Sequence, residues 1–148
     1  MGEAVKKVAG YLFVLFLLLF AGIQFVPVQR TNPPVQGDLS APPEIKAILK
    51  NACYDCHSHE TVWPWYSRVA PVSWMVLDDV KTGRRFLNFS IWNTYNPGKQ
   101  AVLLSGAVDE IVAGDMPLLP YKWMHPAARL TPVQIQAVTN WMVSASGI

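Results

Sequence analysis

The chain has very little cysteine: Cys53 and Cys56 are the only two among 148 residues. A structural zinc site needs four ligands, and no second Cys or His pair stands at metal-binding spacing, although His59 and His125 could complete a site by coincidence. A disulfide between the two cysteines would close a very short loop and would constrain little of the unfolded chain. A thioredoxin-like redox pair belongs in a βαβ context, which is missing around these residues.

The sequence also lacks an excess of charge of one sign. From residue 30 onward it contains ten Lys or Arg and nine Asp or Glu residues, a net charge of +1. Nucleic-acid-binding proteins carry a basic face, so this composition predicts no nucleic-acid partner. No segment alternates convincingly at the period of two that strands require, and no internal repeat is evident. We therefore predict an all-α fold.

Charge is absent altogether from Val8 to Gln29. About twenty apolar residues span a bilayer core as a helix, so a single transmembrane signal-anchor is predicted for residues 8–27. Lys6 and Lys7 precede it, which predicts that residues 1–7 are cytoplasmic and that the rest lies in the periplasm, attached to the inner membrane. A cleaved signal peptide is the alternative. Residues 21–24 offer no clear small-x-small cleavage site, which favours the anchor.

The segment after the anchor is rich in proline. It contains Pro27, Pro33, Pro34, Pro42 and Pro43 and has no sustained apolar period. Such a segment is semi-extended, so residues 28–41 are predicted to be a tether. Residues 42–148 are then predicted to form one folded domain.

Helical periodicity and caps predict four helices in this domain. The first begins near Pro43 with Ile45, Ile48 and Leu49 on its apolar face, and the second runs from Pro71 to about Arg85 with Trp74, Leu77 and Val80 toward the interior. The third begins at residues 96–98 and ends at Gly114. The last begins after Thr131, with proline in its first turn and Gln134 at the third helical position.

The residues Cys53, Tyr54, Asp55, Cys56 and His57 form the C-x-x-C-H pattern of covalent haem attachment. Two thioethers from the cysteines would fix one porphyrin to a single turn of backbone. The adjacent imidazole of His57 is then placed to bind the iron from its proximal face. The exporting segment agrees with this interpretation, because bacteria attach c-type haem in the periplasm. One covalently bound haem c is therefore predicted.

Six residues could supply the distal iron ligand: Met75, Met116, Met124, Met142, His59 and His125. Met75 and Met142 fall inside predicted helices, where methionine more often fills the core. His59 is separated from His57 by at most about 7 Å of extended chain, which is too short for it to reach the opposite face of the porphyrin readily. Met116 follows a helix stop and precedes Pro117, which stiffens its loop. We therefore predict Met116 as the distal ligand, with His125 as the alternative.

Arg84 is a candidate partner for a haem propionate, because a guanidinium matches the geometry of a carboxylate.

Several short sequences resemble a family of small, single-haem c-type cytochromes with a haem-binding domain, often membrane-anchored. The similar stretches are residues 53–58, 63–67, 70–74, 83–84, 87–90 and 116–117, with Tyr121, His125, Pro126, Leu130 and Thr131. The resemblance implies haem attachment at Cys53, Cys56 and His57 and makes Met116 more plausible as a ligand. This chain differs at His59, where members often have Asn. The resemblance implies no particular reaction.

The leading interpretation is one-electron transfer by a membrane-tethered monohaem cytochrome between redox partner proteins, with the membrane as its other partner. An iron bound by both His57 and Met116 would have no open position for a substrate, so an enzyme is not expected. The alternative is a haem-based redox or gas sensor in which a small ligand displaces Met116 or His125. Peroxidase-like catalysis is a weaker interpretation, because it needs a polar distal pocket and the residues around Met116 are apolar.

Overall fold

A computed structural model describes residues 2–147, and this part of the chain is helical without β-strands. The helices are α1 (Gly2–Ile23), α2 (Pro43–Ala52), α3 (Tyr54–His57), α4 (Val72–Phe86), α5 (Pro97–Ala113), α6 (Leu119–Met124) and α7 (Pro132–Ser146). Short 3-10 helices lie at Trp65–Arg68, Trp92–Thr94 and Pro126–Ala128. The predicted all-α fold with one apolar N-terminal helix is confirmed.

The chain divides into two compact units. The first contains the chain up to Arg30 together with Trp63–Asp78, and the second contains Thr31–Val62 together with the chain from Asp79 onward. Each unit is assembled from two separate stretches of the chain. Each unit is described by itself below.

In the first unit, α1 is long and apolar enough to cross a membrane. Its charge-free residues 8–23 correspond to about 24 Å at 1.5 Å per residue, which covers most of a hydrocarbon core of about 30 Å. After α1 ends, the Gln24 side chain forms two hydrogen bonds with the backbone of Ala70. Gln24 Nε2 donates to the Ala70 carbonyl at 3.1 Å, and the Ala70 N–H donates to Gln24 Oε1 at 2.9 Å.

The second unit contains the predicted caps. Asn96 Oδ1 accepts a hydrogen bond from the Lys99 N–H at 2.9 Å, which starts α5. Gly114 ends α5 with φ of 82°, a left-handed conformation that glycine adopts without strain. Thr131 and Gln134 form a capping box that starts α7. These helix ends lie where the sequence predicts them.

The core of the second unit is built from α2, α5, α7 and the loop that follows α4. Its buried residues are Leu39, Ile45, Leu49, Tyr54, Leu87, Phe89, Trp92, Leu104, Ile111, Val138 and Met142. Phe89 lies centrally: its ring stacks on Tyr54 at a centroid distance of 5.1 Å and packs against Trp92 at 6.4 Å. Burial of this apolar surface is the main force that holds the helices together.

The predicted tether is not a free linker over its second half. The Gln36 and Gly37 N–H groups donate to the Ser90 carbonyl at 2.9 and 3.1 Å, and the Leu39 N–H donates to the Phe89 carbonyl at 3.0 Å. Leu39 is itself buried in the core. A single apolar residue among prolines has no period, so the sequence pattern could not reveal this pairing.

Trp74 is a second difference from the prediction. We expected it to face the interior with Val80, and Val80 is buried, but Trp74 is 37% exposed. Ser73, one residue earlier in α4, takes the buried position instead. Adjacent helical residues point about 100° apart, so a shift of one residue in the buried face is enough to expose the indole.

Candidate functional site

The C-x-x-C-H motif consists of Cys53, at the junction of α2 and α3, and the single helical turn of α3. Cys53 ends α2 with φ of −126° and ψ of −35°, which breaks the helix there. The carbonyl of Cys53 then accepts hydrogen bonds from the N–H groups of Cys56 at 3.2 Å and His57 at 2.9 Å. This turn brings the two thiols and the imidazole to the wall of the same cavity.

The cavity lies within the second unit and has a volume of about 500 Å³. This value is within the range of about 300–1,000 Å³ that is usual for cofactor and ligand sites. Most of the residues around it are apolar, and they come from the motif, α4 and the loop after it, α5, the loop between α5 and α6, α6 and α7. They include Cys53, Cys56, His57, Phe86, Leu87, Phe89, Val102, Leu103, Ala107, Ile111, Met116, Pro117, Leu118, Tyr121 and Met142.

His57 is held in one tautomer. Its Nδ1 lies 3.0 Å from the Leu87 carbonyl oxygen, and a carbonyl can only accept, so Nδ1 carries the hydrogen. Burial lowers the pKa of His57, although the carbonyls of Leu87 and Gly83 oppose this shift. A neutral imidazole whose Nδ1–H is donated to a backbone carbonyl has its Nε2 lone pair available for a metal.

Gly83 explains how α4 approaches the motif so closely. A Cβ atom at this position would lie 2.6 Å from the Cys56 carbonyl oxygen and 3.2 Å from the Cys56 Cβ. The first distance is well inside van der Waals contact, so only glycine fits. The resemblance includes Gly83, but the reason for a glycine here depends on a contact 27 positions away along the chain.

Cys53 and Cys56 are not joined by a disulfide. Burial raises the pKa of Cys53 to about 12, with a further contribution from Cys56. Burial likewise raises the pKa of Cys56 to about 12, helped by the negative charges of Asp79 and Asp55. Both groups are therefore neutral thiols near pH 7.

Among residues 2–147, no cluster of three or more His, Cys, Asp or Glu residues could hold a metal ion.

Of the six candidate distal ligands, Met116 and Met142 line the cavity. The backbone N–H of Met116 donates to the Glu110 carbonyl at 3.1 Å, which fixes the loop to the end of α5. Met142 is fully buried in the core, as expected of a methionine inside a helix. Met116 and His57 therefore share one cavity, as the predicted pair of iron ligands requires.

His125 does not line this cavity. Its Nδ1 lies 3.2 Å from the Tyr121 carbonyl oxygen, and its ring stacks on the Tyr121 ring at a centroid distance of 4.0 Å. His59, the position at which this chain departs from the resemblance, lies with Nδ1 3.0 Å from the Pro34 carbonyl and Nε2 2.8 Å from Asn88 Nδ2. Neither histidine is brought to the cavity wall.

Tyr121 connects the loop of Met116 to the attachment motif. Its hydroxyl donates to Asp55 Oδ2 at 2.8 Å, and Asp55 Oδ1 accepts from the Val62 N–H at 2.8 Å. Asp55 is one of the two residues between the cysteines, and Tyr121 lines the cavity. The sequence indicated Tyr121 only as part of the resemblance, because no local pattern links residues 66 positions apart.

Arg84 lies outside the cavity wall. Its Nε donates to the Ser58 carbonyl at 2.7 Å, and its terminal nitrogens donate to the Thr31 carbonyl, Asn32 Oδ1 and Thr61 Oγ1, each at 2.9 Å. Arg84 therefore joins the residues after the motif to the segment that precedes α2. Its pairing with a propionate stays a prediction, and most of its N–H groups already have protein acceptors.

The donor set and the cavity fit a haem. Two thiols, one neutral imidazole and the thioethers of Met116 and Met142 line a mostly apolar space of suitable size. A family model described as a haem-binding domain matches residues 18–144, which is most of the chain. No curated protein and no solved structure gives a significant match.

Proposed function

This chain belongs to the haem-binding domain family, and we propose that it is a membrane-tethered monohaem c-type cytochrome that carries single electrons in the periplasm. The observation that supports this proposal most strongly is the shared cavity. Cys53, Cys56, His57 and Met116 all line it.

Cys53 and Cys56 would hold the haem covalently. Each thiol can add to one vinyl group of the porphyrin, so that its sulfur becomes a thioether and its hydrogen moves to the vinyl carbon. Once bound, the haem supplies an iron that alternates between Fe(II) and Fe(III). The motif turn fixes the spacing of the two sulfurs through the hydrogen bonds to the Cys53 carbonyl.

His57 and Met116 would bind the iron from its two faces. The hydrogen bond from Nδ1 to the Leu87 carbonyl keeps Nε2 unprotonated and fixes the orientation of the ring. A thioether as the second axial ligand favours Fe(II) and raises the reduction potential. With both positions filled by protein, no open site is left for a substrate, which favours an electron carrier over an enzyme.

The helix α1 would attach this domain to a membrane. It is apolar enough to span a bilayer, and Lys6 and Lys7 stand near its start. Because lysines are retained on the cytoplasmic side, the residues after α1 would lie in the periplasm. Confinement to the membrane raises the effective concentration of the carrier near membrane-bound redox partners.

Carbon monoxide binding to the reduced protein tests the electron-transfer proposal. We expect low-spin spectra in both oxidation states and slow, incomplete binding of carbon monoxide, because Met116 occupies the distal position. Rapid stoichiometric binding by the native protein would contradict electron transfer and would favour a gas sensor. A high-spin, five-coordinate iron would contradict ligation by Met116.

A further inference from the structure

The first unit contains a segment that is fixed to the end of α1. Gln24 follows the helix directly, and its two hydrogen bonds with Ala70 join the helix end to Trp63–Asp78. Arg30 adds a third connection, because one terminal nitrogen donates to the Ser67 carbonyl at 3.0 Å. Residues 67–70 therefore cannot move far from the end of α1.

The position of α1 then fixes the depth of this segment. If α1 crosses the bilayer, as the proposed function requires, its last residue Ile23 lies near the end of the hydrocarbon core. Ala70 is hydrogen-bonded to the side chain of the next residue, Gln24, so it lies at a similar depth. The neighbours of Ala70 in Trp63–Asp78 are then placed close to the headgroup region of the membrane.

The surface of this unit suits that environment. Large apolar side chains are exposed both just after α1 and in the attached segment: Phe25 is 87% exposed, Trp65 71%, Met75 61% and Trp74 37%. Tryptophan is favoured at the membrane interface, because its ring is apolar while its N–H can reach water or headgroups. Exposing these side chains to water would be unfavourable, and lipid would cover them.

Two arginines lie beside these apolar residues. Arg30 and Arg68 line a second cavity of about 300 Å³ in the first unit, with Gln24 and Ser73. No acidic side chain lines this cavity. Guanidinium groups bind phosphate in a bidentate geometry, so the pair matches the charge of phospholipid headgroups.

We infer that Trp63–Asp78 is a membrane-surface segment. In this arrangement Trp65, Trp74 and Met75 insert among the lipid headgroups, and Arg30 and Arg68 contact lipid phosphates. The inference rests on α1 spanning the membrane, and it adds a second contact with lipid that the anchor alone does not require.

Hydroxyl-radical footprinting of the full haem-loaded chain in nanodiscs tests this inference. The chain offers matched controls in its second unit, because Trp123 is 65% exposed and Met124 51%, close to the values for Trp65 and Met75. The nanodiscs contain phosphatidylcholine and phosphatidylglycerol. We expect oxidation of Trp65 and Met75 to be several-fold slower than that of Trp123 and Met124.

The outcomes separate the two proposals. If the chain resists extraction from membranes by alkaline carbonate but the two Trp–Met pairs react equally, the surface segment is contradicted and the anchor stands. If carbonate extracts the chain, the anchor and the surface segment are both contradicted.

An Arg68→Gln variant tests the contact with phosphate, with Lys122→Gln as the matched control. Each cation near an anionic surface strengthens attraction to it, so we expect the protection of Trp65 to fall by up to roughly fivefold in Arg68→Gln. Lys122→Gln should leave it unchanged. Equal protection of Trp65 in both variants would contradict the role of Arg68.

Discussion

The two sides of the cavity are held in different ways. The C-x-x-C-H motif on one side is held by several hydrogen bonds, whereas the loop of Met116 on the other side is held by fewer. His57 alone has its N–H bonded to Cys53, its carbonyl bonded to the Phe89 N–H at 2.8 Å and its ring bonded to Leu87. Met116 has its N–H bonded to Glu110, and its loop reaches the motif through the Tyr121 hydroxyl.

Under the proposed function, this difference fits a proximal side organised for haem attachment and a distal side organised for adjustment. A cysteine pair and a histidine must be held in fixed positions to react with a porphyrin and bind its iron. The distal ligand can be stabilised or released by a few interactions, which sets the reduction potential and the access of small ligands. Changes on the proximal side should therefore have the larger effects.

Removal of both motif thiols should have the largest effect. In Cys53→Ala/Cys56→Ala no thioether can form, so we expect haem to be lost completely when the protein is denatured. Haem staining of a denaturing gel and the intact mass measure this, and the native chain should carry the mass of one haem. A native chain without bound porphyrin after denaturation would contradict covalent attachment.

The close approach of α4 to the motif should be the next most sensitive feature. In Gly83→Ala the new Cβ would lie 2.6 Å from the Cys56 carbonyl, so the helix or the motif must shift. We expect the free energy of unfolding to fall by about 1–3 kcal/mol and the haem content to fall with it. Chemical denaturation and the ratio of haem to protein measure the two effects.

Gly98→Ala is the matched control for this change. Gly98 also lies in a helix, but a Cβ there would be 3.6 Å from Asn96 Oδ1, an ordinary contact. Its stability should change by no more than about 0.5 kcal/mol. Equal losses in the two variants would show that the effect does not arise from the contact with Cys56.

On the distal side, Tyr121→Phe should have a smaller effect. It retains the ring in the cavity wall but removes the hydrogen bond to Asp55. A hydrogen bond to a charged group contributes about 1.5 kcal/mol or more, so detachment of Met116 should become roughly tenfold more frequent. The rate of carbon monoxide binding to the reduced protein measures this, because binding requires detachment.

A double-mutant cycle with Asp55→Ala isolates the pair. Asp55 also accepts from the Val62 N–H, so the single variant alone would mix two effects. The Tyr121→Phe change should have little further effect when Asp55 is already absent. Fully additive effects would mean that Tyr121 acts through some other contact.

Local sequence patterns predicted much of the fold. The caps at Asn96 and Thr131 and the left-handed Gly114 lie at the expected helix ends, because each depends on residues a few positions apart. The C-x-x-C-H pattern likewise requires only five consecutive residues. The contacts that complete the site could not be predicted, because they join distant residues: Gly83 with Cys56, and Tyr121 with Asp55.

Two further features of the fold could not be predicted, for different reasons. The pairing of residues 36–39 with residues 89–92 uses backbone groups, which carry no sequence signal. The buried face of α4 was misplaced by one residue at Trp74, because apolar residues on both sides of the helix gave no clear period. The exposure of Trp74 supports the inference that Trp63–Asp78 contacts the membrane surface, because a buried indole could not reach lipid.

The central claim is that Met116 binds the haem iron opposite His57, and the absorption spectrum of Met116→Ala tests it most directly. Met142→Leu is the control for the other methionine in the cavity wall. We expect the native protein and Met142→Leu to show a thioether–iron absorption band and low-spin iron. Met116→Ala should lose the band and bind carbon monoxide rapidly. A band that persists in Met116→Ala, or that disappears in Met142→Leu, would contradict the account.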